Sequence, residues 1–252
     1  MSAFKVSRAL MSGVLAVLLL TAGSRARAQF WETDEEKRES PAVERELKPQ
    51  KAPRRAIKLF DGKSLDAWVH RGSNAPCGWT VLPDGALLVT SGFPDILTKQ
   101  KFRDFQLHVE FKIPLMPKAE GQGRGNSGVY MHGLYEIQVL DAYNNPTYKA
   151  GGCGSIYEQK DPDVNACKPP EHWQAYNITF RAPRFSADGK MTEKPRVSVI
   201  WNGVKVHNNV EIEHPTRASL DGAMTAEGPI MLQNHGNPVQ FRNVWIVPKK
   251  SK

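Results

Sequence analysis

An all-β fold, a two-sheet antiparallel β-sandwich of the jelly-roll type, is predicted by three observations. No stretch sustains a helical period, short runs of apolar–polar alternation recur along the chain, and 18 prolines and 20 glycines punctuate nearly every connection. A sheet with one apolar face must bury it against another layer, so many strands with few helices imply two packed sheets.

The elements follow in order. IKLF at 57–60 precedes the turn signal DGKS. GWTVL and ALLVT are joined by Pro83-Asp84-Gly85, a hairpin signal. FQLHVEFKI (105–113), SGVYMHG (127–133), YEIQVLD (135–141) and AYNITFRA (175–182) are the next strands. Asn202-Gly203 within IWNGVKV is the strongest short hairpin signal, because both residues tolerate positive φ. PIMLQNH (229–235) and VQFRNVWIV (239–247) complete the set. Two connections, 114–126 and 142–172, exceed what a turn needs and are expected to wall a cleft.

The N-terminus reads differently. Lys5 and Arg8 precede an apolar run from Ala9 to Ala22 and an A-x-A site at 26–28, the pattern of a secretory signal peptide over residues 1–28. Cleavage near Ala28 would leave a periplasmic or secreted protein. The run is shorter than the roughly 20 apolar residues of a bilayer span, and no other stretch approaches that length, so no membrane span is expected. Residues 29–56 carry seven acids and seven bases with few apolar side chains, and read as a charged, solvated linker. Residues 57–252 are of a size for one domain.

Removing Lys5, Arg8, Arg25 and Arg27 with the signal lowers the formal charge from +8 to +4. No Lys/Arg block interleaves with aromatics, so nucleic acid is not an expected partner. Three cysteines, Cys77, Cys153 and Cys167, cannot all pair with one another; either Cys153 and Cys167 staple the loop between them or all three are thiols. Their spacing matches no zinc site.

Alternation assigns faces. Leu107, Val109, Phe111 and Ile113 are core, turning His108, Glu110 and Lys112 away. Val129 and Met131, then Tyr135, Ile137 and Val139, are core; their alternates are Tyr130 and His132, then Glu136 and Gln138. Ile178 and Phe180 leave Asn177, Thr179 and Arg181 outward, and Leu232 leaves Gln233 and His235. If these strands share one sheet, imidazoles, amides and acids line a single polar platform suited to a hydroxyl-rich ligand. A merely solvated face is the plainer alternative.

LFDGKSLDAW, DFQLHVEFKIP, GNSGVYMHGLYEIQVLD, KPPEHWQAYNITFRAPRF and GPIMLQNHGNPVQFRNVWI, in that order, resemble the 3-keto-disaccharide hydrolase family from about residue 57 to the end. The resemblance implies a concanavalin A-like jelly roll, exported by bacteria, that acts on glycosides oxidised at C3 by elimination and addition. Its substrate would be a 3-keto-sugar supplied by an upstream sugar 3-oxidase. A ketone at C3 acidifies the C2 proton, so a base can remove it while charge builds on the C3 oxygen and the C1 substituent departs. From parity and chemical type, Glu136 is the expected base, Glu110 its substitute, and His132 the acid. Lys112 and Asn126 are expected to stabilise the enolate, and Gln138, Asp141, Gln233 and His235 to hold sugar hydroxyls. No cofactor is expected, although Asp61, Asp66 and Asp141 offer oxygens that could hold Ca²⁺. A non-catalytic carbohydrate-binding module, a glycosidase using Glu110 and Glu136 on unoxidised sugars, and a tethered interaction protein are the rival readings.

Overall fold

The computed structural model describes residues 47–249; the expected signal peptide, and the expected linker as far as residue 46, lie outside them. The strands in chain order are β1 (Ile57–Phe60), β2 (Trp68–His70), β3 (Thr80–Val81), β4 (Leu87–Leu88), β5 (Ile96–Thr98), β6 (Phe105–Lys112), β7 (Ser127–Met131), β8 (Tyr135–Val139), β9 (Trp173–Arg181), β10 (Arg184–Phe185), β11 (Met191–Glu193), β12 (Arg196–Trp201), β13 (Val204–Glu211), β14 (Met231–Leu232) and β15 (Gln240–Pro248). Among the described residues the one helical element is a short 3-10 turn, Gly121–Gly123.

Eight strands form the larger sheet in the order β13-β12-β9-β6-β15-β4-β3, with β1 also paired to β15. Five form the smaller sheet, β2-β5-β14-β7-β8, and β10 with β11 makes a separate ribbon. The pairings are antiparallel. The fold is the predicted antiparallel sandwich of jelly-roll type. Its core gathers Leu107, Val109 and Phe111 of β6 and Ile178 and Phe180 of β9 with Val129 and Met131 of β7 and Tyr135, Ile137 and Val139 of β8. Burying each large apolar side chain contributes about 1.5–3 kcal/mol, and a one-residue slip would turn the whole set outward, so register is strongly held.

Both hairpins marked by the sequence form. Leu82 N–H donates to Ala86 O at 2.8 Å between β3 and β4, and Asn202 and Gly203 take φ of 51° and 87° between β12 and β13. A third tight turn was hidden inside the strand expected over 127–133. His132 and Gly133 both have positive φ, 57° and 67°, and Leu134 N–H closes the turn on Met131 O at 3.0 Å.

Two further expectations change. The strands carrying the polar alternates do not share a sheet: β6 and β9 belong to the larger one, β7, β8 and β14 to the smaller. Alternation says which side chains face inward but not which sheet a strand joins, and a sandwich has two outer faces. The end of the expected linker is also not free, because Gln50 N–H donates to Glu110 at 3.2 Å and Gln50 O accepts from Asn243 at 2.9 Å. Cys77, Cys153 and Cys167 are thiols here, Cys153 lying 3.1 Å from the Tyr176 hydroxyl.

Candidate active site

β8 turns Glu136 and Gln138 to the outer face of the smaller sheet. The β7–β8 register sets Tyr130 opposite Glu136 and Gly128 opposite Gln138. β14 extends the row, with Met231 paired to Tyr130 and Gln233 N–H bonded to Gly128 O at 3.0 Å. The long loop after β8 closes the other side: Gln138 N–H donates to Ser155 O at 3.0 Å and Tyr157 N–H to Glu136 O at 3.3 Å, so residues 154–157 run beside β8.

Glu136 is 2% exposed. Its Oε2 accepts a 2.8 Å hydrogen bond from Tyr130, and its backbone N–H donates to Thr216 Oγ1 at 3.0 Å. Oε1 lies over Gly128, where a Cβ would collide with it and with the Tyr130 ring. Burial pushes the Glu136 carboxyl up to about 8; the Asp95 and Glu158 charges add to this, and the Tyr130 hydrogen bond opposes it. Burial and the neighbouring Glu136 raise the Tyr130 phenol as well, so it stays protonated and donates a hydrogen bond.

Three amides extend along this face from the pair, each with its NH₂ committed and its oxygen unpaired. Gln233 Nε2 donates to Tyr130 OH at 3.0 Å, Gln138 Nε2 to Gln122 Oε1 at 3.0 Å, and Asn126 Nδ2 to Gln122 O at 2.8 Å. Gln233 Oε1, Gln138 Oε1 and Asn126 Oδ1 are buried without a protein partner. Unpaired buried acceptors are costly in isolation, and hydroxyl donors of a ligand would satisfy them. Gln122, fixed by Thr147 at 2.9 Å and Gly151 O at 2.8 Å, braces two of the three amides. At the rim, Arg217 stands 3.4 Å from Glu158, and Tyr157 is hydrogen-bonded to the half-exposed Tyr148.

Of the residues singled out from the sequence, Glu136, Gln138, Gln233 and Asn126 come together. Asp141 lies at the far end of β8, but its carboxylate is taken: Arg124 Nε is 2.8 Å away, without hydrogen-bond alignment, and Tyr143 N–H donates at 3.0 Å. His235 is exposed on the loop whose Asn237 accepts from Asn126 N–H at 2.7 Å. Asp61 accepts from Lys63 N–H in its own turn at 3.2 Å, and Asp66 N–H donates to Ser64 Oγ at 3.0 Å.

Glu110, Lys112 and His132 are placed elsewhere. Glu110 and Lys112 project from β6 on the outer face of the larger sheet. There Glu110 is fully buried, receiving Arg242 Nε and Asn243 Nδ2 at 2.7 Å each, with His108 at 3.3 Å. Burial alone would raise its pKa; the hydrogen bonds from His108, Asn243 and Arg242 outweigh it and hold the carboxyl at about 2. Lys112 Nζ lies 5.0 Å from the Trp173 ring centre, on the same side. Packed sheets stack about 10 Å apart, so Glu110 and Glu136, outside different sheets, cannot flank one bond at the separation a two-carboxylate glycosidase needs. His132 departs because its positive φ breaks the alternation. Its ring packs on Phe105, Tyr135 and Phe180, inside the sandwich, and Nε2 bonds Arg103 O at 3.1 Å. Burial lowers its pKa, so it is neutral.

Tyr130, Gln122 and Thr216 were not singled out from the sequence. Tyr130 had a signal, since it falls on the outward parity beside Glu136; Gln122 and Thr216 lie in loops, where parity says nothing.

A family model described as the 3-keto-alpha-glucoside-1,2-lyase-like domain matches residues 55–247. The chain belongs to this family. A 3-keto-disaccharide hydrolase of Bacteroides thetaiotaomicron is 24% identical over 237 residues, covering 75% of this chain and 77% of the relative. A crystal structure of a candidate glycosyl hydrolase from Parabacteroides distasonis is 45% identical, with a TM-score of 0.71, covering 79% of this chain and 85% of that one. A second from the same organism, at 20% identity and a TM-score of 0.58 over 77% of this chain and 94% of that one, shares the fold. The chain is thus a glycosyl-hydrolase-like member of the 3-keto-disaccharide hydrolase family, and its match to the 3-keto-alpha-glucoside-1,2-lyase-like domain spans every strand from β1 into β15. Among the described residues no helix is long and apolar enough to cross a membrane, and no group of three or more His, Cys, Asp or Glu side chains is gathered as for a metal.

Proposed function

We propose that the protein cleaves 3-keto-glycosides by elimination across C1 and C2, followed by addition of water, with Glu136 as the base. The observation that carries this reading is the buried Glu136 carboxyl, pushed up to about 8 and oriented by Tyr130, beside three unpaired amide oxygens. A carboxylate with so high a pKa is a stronger base than an ordinary one, and catalytic groups work best with pKa values near the operating pH.

In the proposed sequence Glu136 Oε1, above Gly128, takes the C2 proton, and the electron pair moves into the C2–C3 bond as charge builds on the C3 oxygen. The charge then returns from the C3 oxygen, re-forming the ketone and placing a double bond between C1 and C2 as the C1–O bond breaks. With His132 inside the sandwich, the proton held by the Glu136–Tyr130 pair returns to the departing oxygen, so base and acid are the same unit. Water adds to the unsaturated sugar in a second step. Gln138, Gln233 and Asn126 accept hydrogen bonds from sugar hydroxyls. The oxidised substrate requires a sugar 3-oxidase upstream, and the N-terminal sequence favours action outside the cytoplasm.

The test is a matched pair, a disaccharide and its 3-keto form, incubated with the purified protein. Monosaccharide released only from the oxidised member is the expected result; equal cleavage of both, or of neither, removes the proposal.

A further inference from the structure

A cavity of about 490 Å³, whose lining includes none of the Glu136 cluster, opens at the β2–β5 edge of the smaller sheet. Its apolar part includes Val69 and Leu97, neighbours in the β2–β5 pairing, Leu134 of the β7–β8 turn, and Leu220 and Pro229. Two segments wall it. The stretch after β5 supplies Lys99 and Lys101, and the 220–229 loop supplies Asp221 and Glu227. Phe102 and Gly228 exchange backbone hydrogen bonds of 2.9 and 3.0 Å, which join the walls.

The charges are unusual in one respect. Lys99, Lys101, Asp221 and Glu227 line one cavity, yet none has a side-chain hydrogen bond or ion pair within the described residues. Donors and acceptors in equal number give no net charge to attract an ion, but leave both kinds of group free around an apolar floor. His132 also borders the cavity, but its ring packs inside the sandwich and its Nε2–H is committed to Arg103 O. A sugar ring has the matching chemistry, with C–H groups for Val69 and Leu97 and hydroxyls that both donate and accept.

We infer that this cavity is a second carbohydrate-binding site, one that takes a neutral sugar unit. Its size suits a mono- or disaccharide among small-molecule sites. A strap of residues 216–220 separates it from Glu136: Thr216 Oγ1 accepts from Glu136 N–H, Arg217 O is 3.2 Å from Tyr130 OH, and Leu220 N–H is 2.8 Å from Gly133 O, with Leu220 facing the cavity. The inference does not rest on the chemistry proposed for Glu136.

Calorimetric titration of the purified protein with unoxidised maltose, with sodium gluconate as an anionic control, tests it. Maltose is expected to bind saturably, and gluconate not. The double variants Lys99→Ala/Lys101→Ala and Asp221→Ala/Glu227→Ala, all at exposed side chains, should each weaken binding about 10-fold, the scale of one lost hydrogen bond to a charged group. Glu136→Gln should leave maltose affinity unchanged, which separates this site from the first. Absence of maltose binding, a preference for gluconate, affinity that survives both double variants, or affinity abolished by Glu136→Gln would each overturn the inference, whatever the result with 3-keto substrates.

Discussion

Tyr130 and Glu136 face each other across the β7–β8 pair, and the phenol donates a 2.8 Å hydrogen bond to Oε2 of a carboxyl that burial has raised to about 8. Hydrogen bond and burial pull in opposite directions, and burial wins. The carboxyl therefore changes protonation near neutral pH, where an ordinary glutamate would be fully ionised.

Replacing Glu136 by Gln keeps the shape and removes the base. Turnover of a 3-keto-disaccharide is expected to fall by about 10² to 10⁴, the usual share of one acid–base group, in steady-state assays of monosaccharide release. Near-normal turnover would remove Glu136 from the mechanism.

The pH dependence follows from the same shift. A base must be deprotonated, so kcat/KM of the free enzyme should rise with pH and level off above about 8. The stability effect has the opposite sign. Because the folded-state pKa is raised, the native protein holds a proton that the unfolded chain has lost, and its stability falls as pH climbs from the ordinary glutamate range to about 8. Glu136→Gln should thus raise Tm more at alkaline than at acidic pH, as read by thermal melts across the range.

Tyr130→Phe removes the one interaction that lowers the Glu136 pKa. The midpoint of the pH–rate profile should move up, and kcat should fall by less than in Glu136→Gln. A loss of rate with an unmoved midpoint would make Tyr130 a packing residue only.

Gly128→Ala places a Cβ against Glu136 Oε1 and the Tyr130 ring. The neighbours on this face are buried, so the carboxyl must swing away, and kcat should drop by about 10²-fold, as for a misplaced catalytic group. Circular dichroism should report an intact sheet. Full activity in this variant would show that Oε1 need not lie over residue 128.

Glu110→Gln tests the other side of the sandwich. Leaving the partly exposed Arg242 beside a neutral amide should destabilise the fold by about 1–3 kcal/mol, the scale of a lost hydrogen bond to a charged group, while kcat of the folded fraction stays near normal. The Glu110 pKa is held at about 2 in the folded protein, so its stabilisation is present above the ordinary glutamate range and is lost as pH falls towards 2. Urea titrations of wild type and variant should converge at low pH.

The division between what could and could not be read from the chain shows in Glu110 and Glu136. Both stand on outward parity in clean alternating runs, and both are outward, as alternation requires. Their strands nevertheless belong to different sheets, because strand partners are chosen by contacts between segments far apart in sequence. His132 shows a second limit: a positive φ at one residue ends the alternation, and the pair His132-Gly133 is a weaker turn signal than Asn202-Gly203. Gln122 and Thr216 reach the site from loops, where position depends on what the loop packs against.

By itself the sequence determined the all-β sandwich and, within each unbroken strand, the faces of the side chains, since period-two alternation and turn chemistry are local and the cost of exposing an apolar face enforces them. The tertiary structure decided which outward groups meet. It joined Glu136, Tyr130 and the three amides on one sheet, sent Glu110 and Lys112 to the other, and buried Glu136 deeply enough to raise its pKa, because desolvation and pairing depend on neighbours that no local pattern encodes.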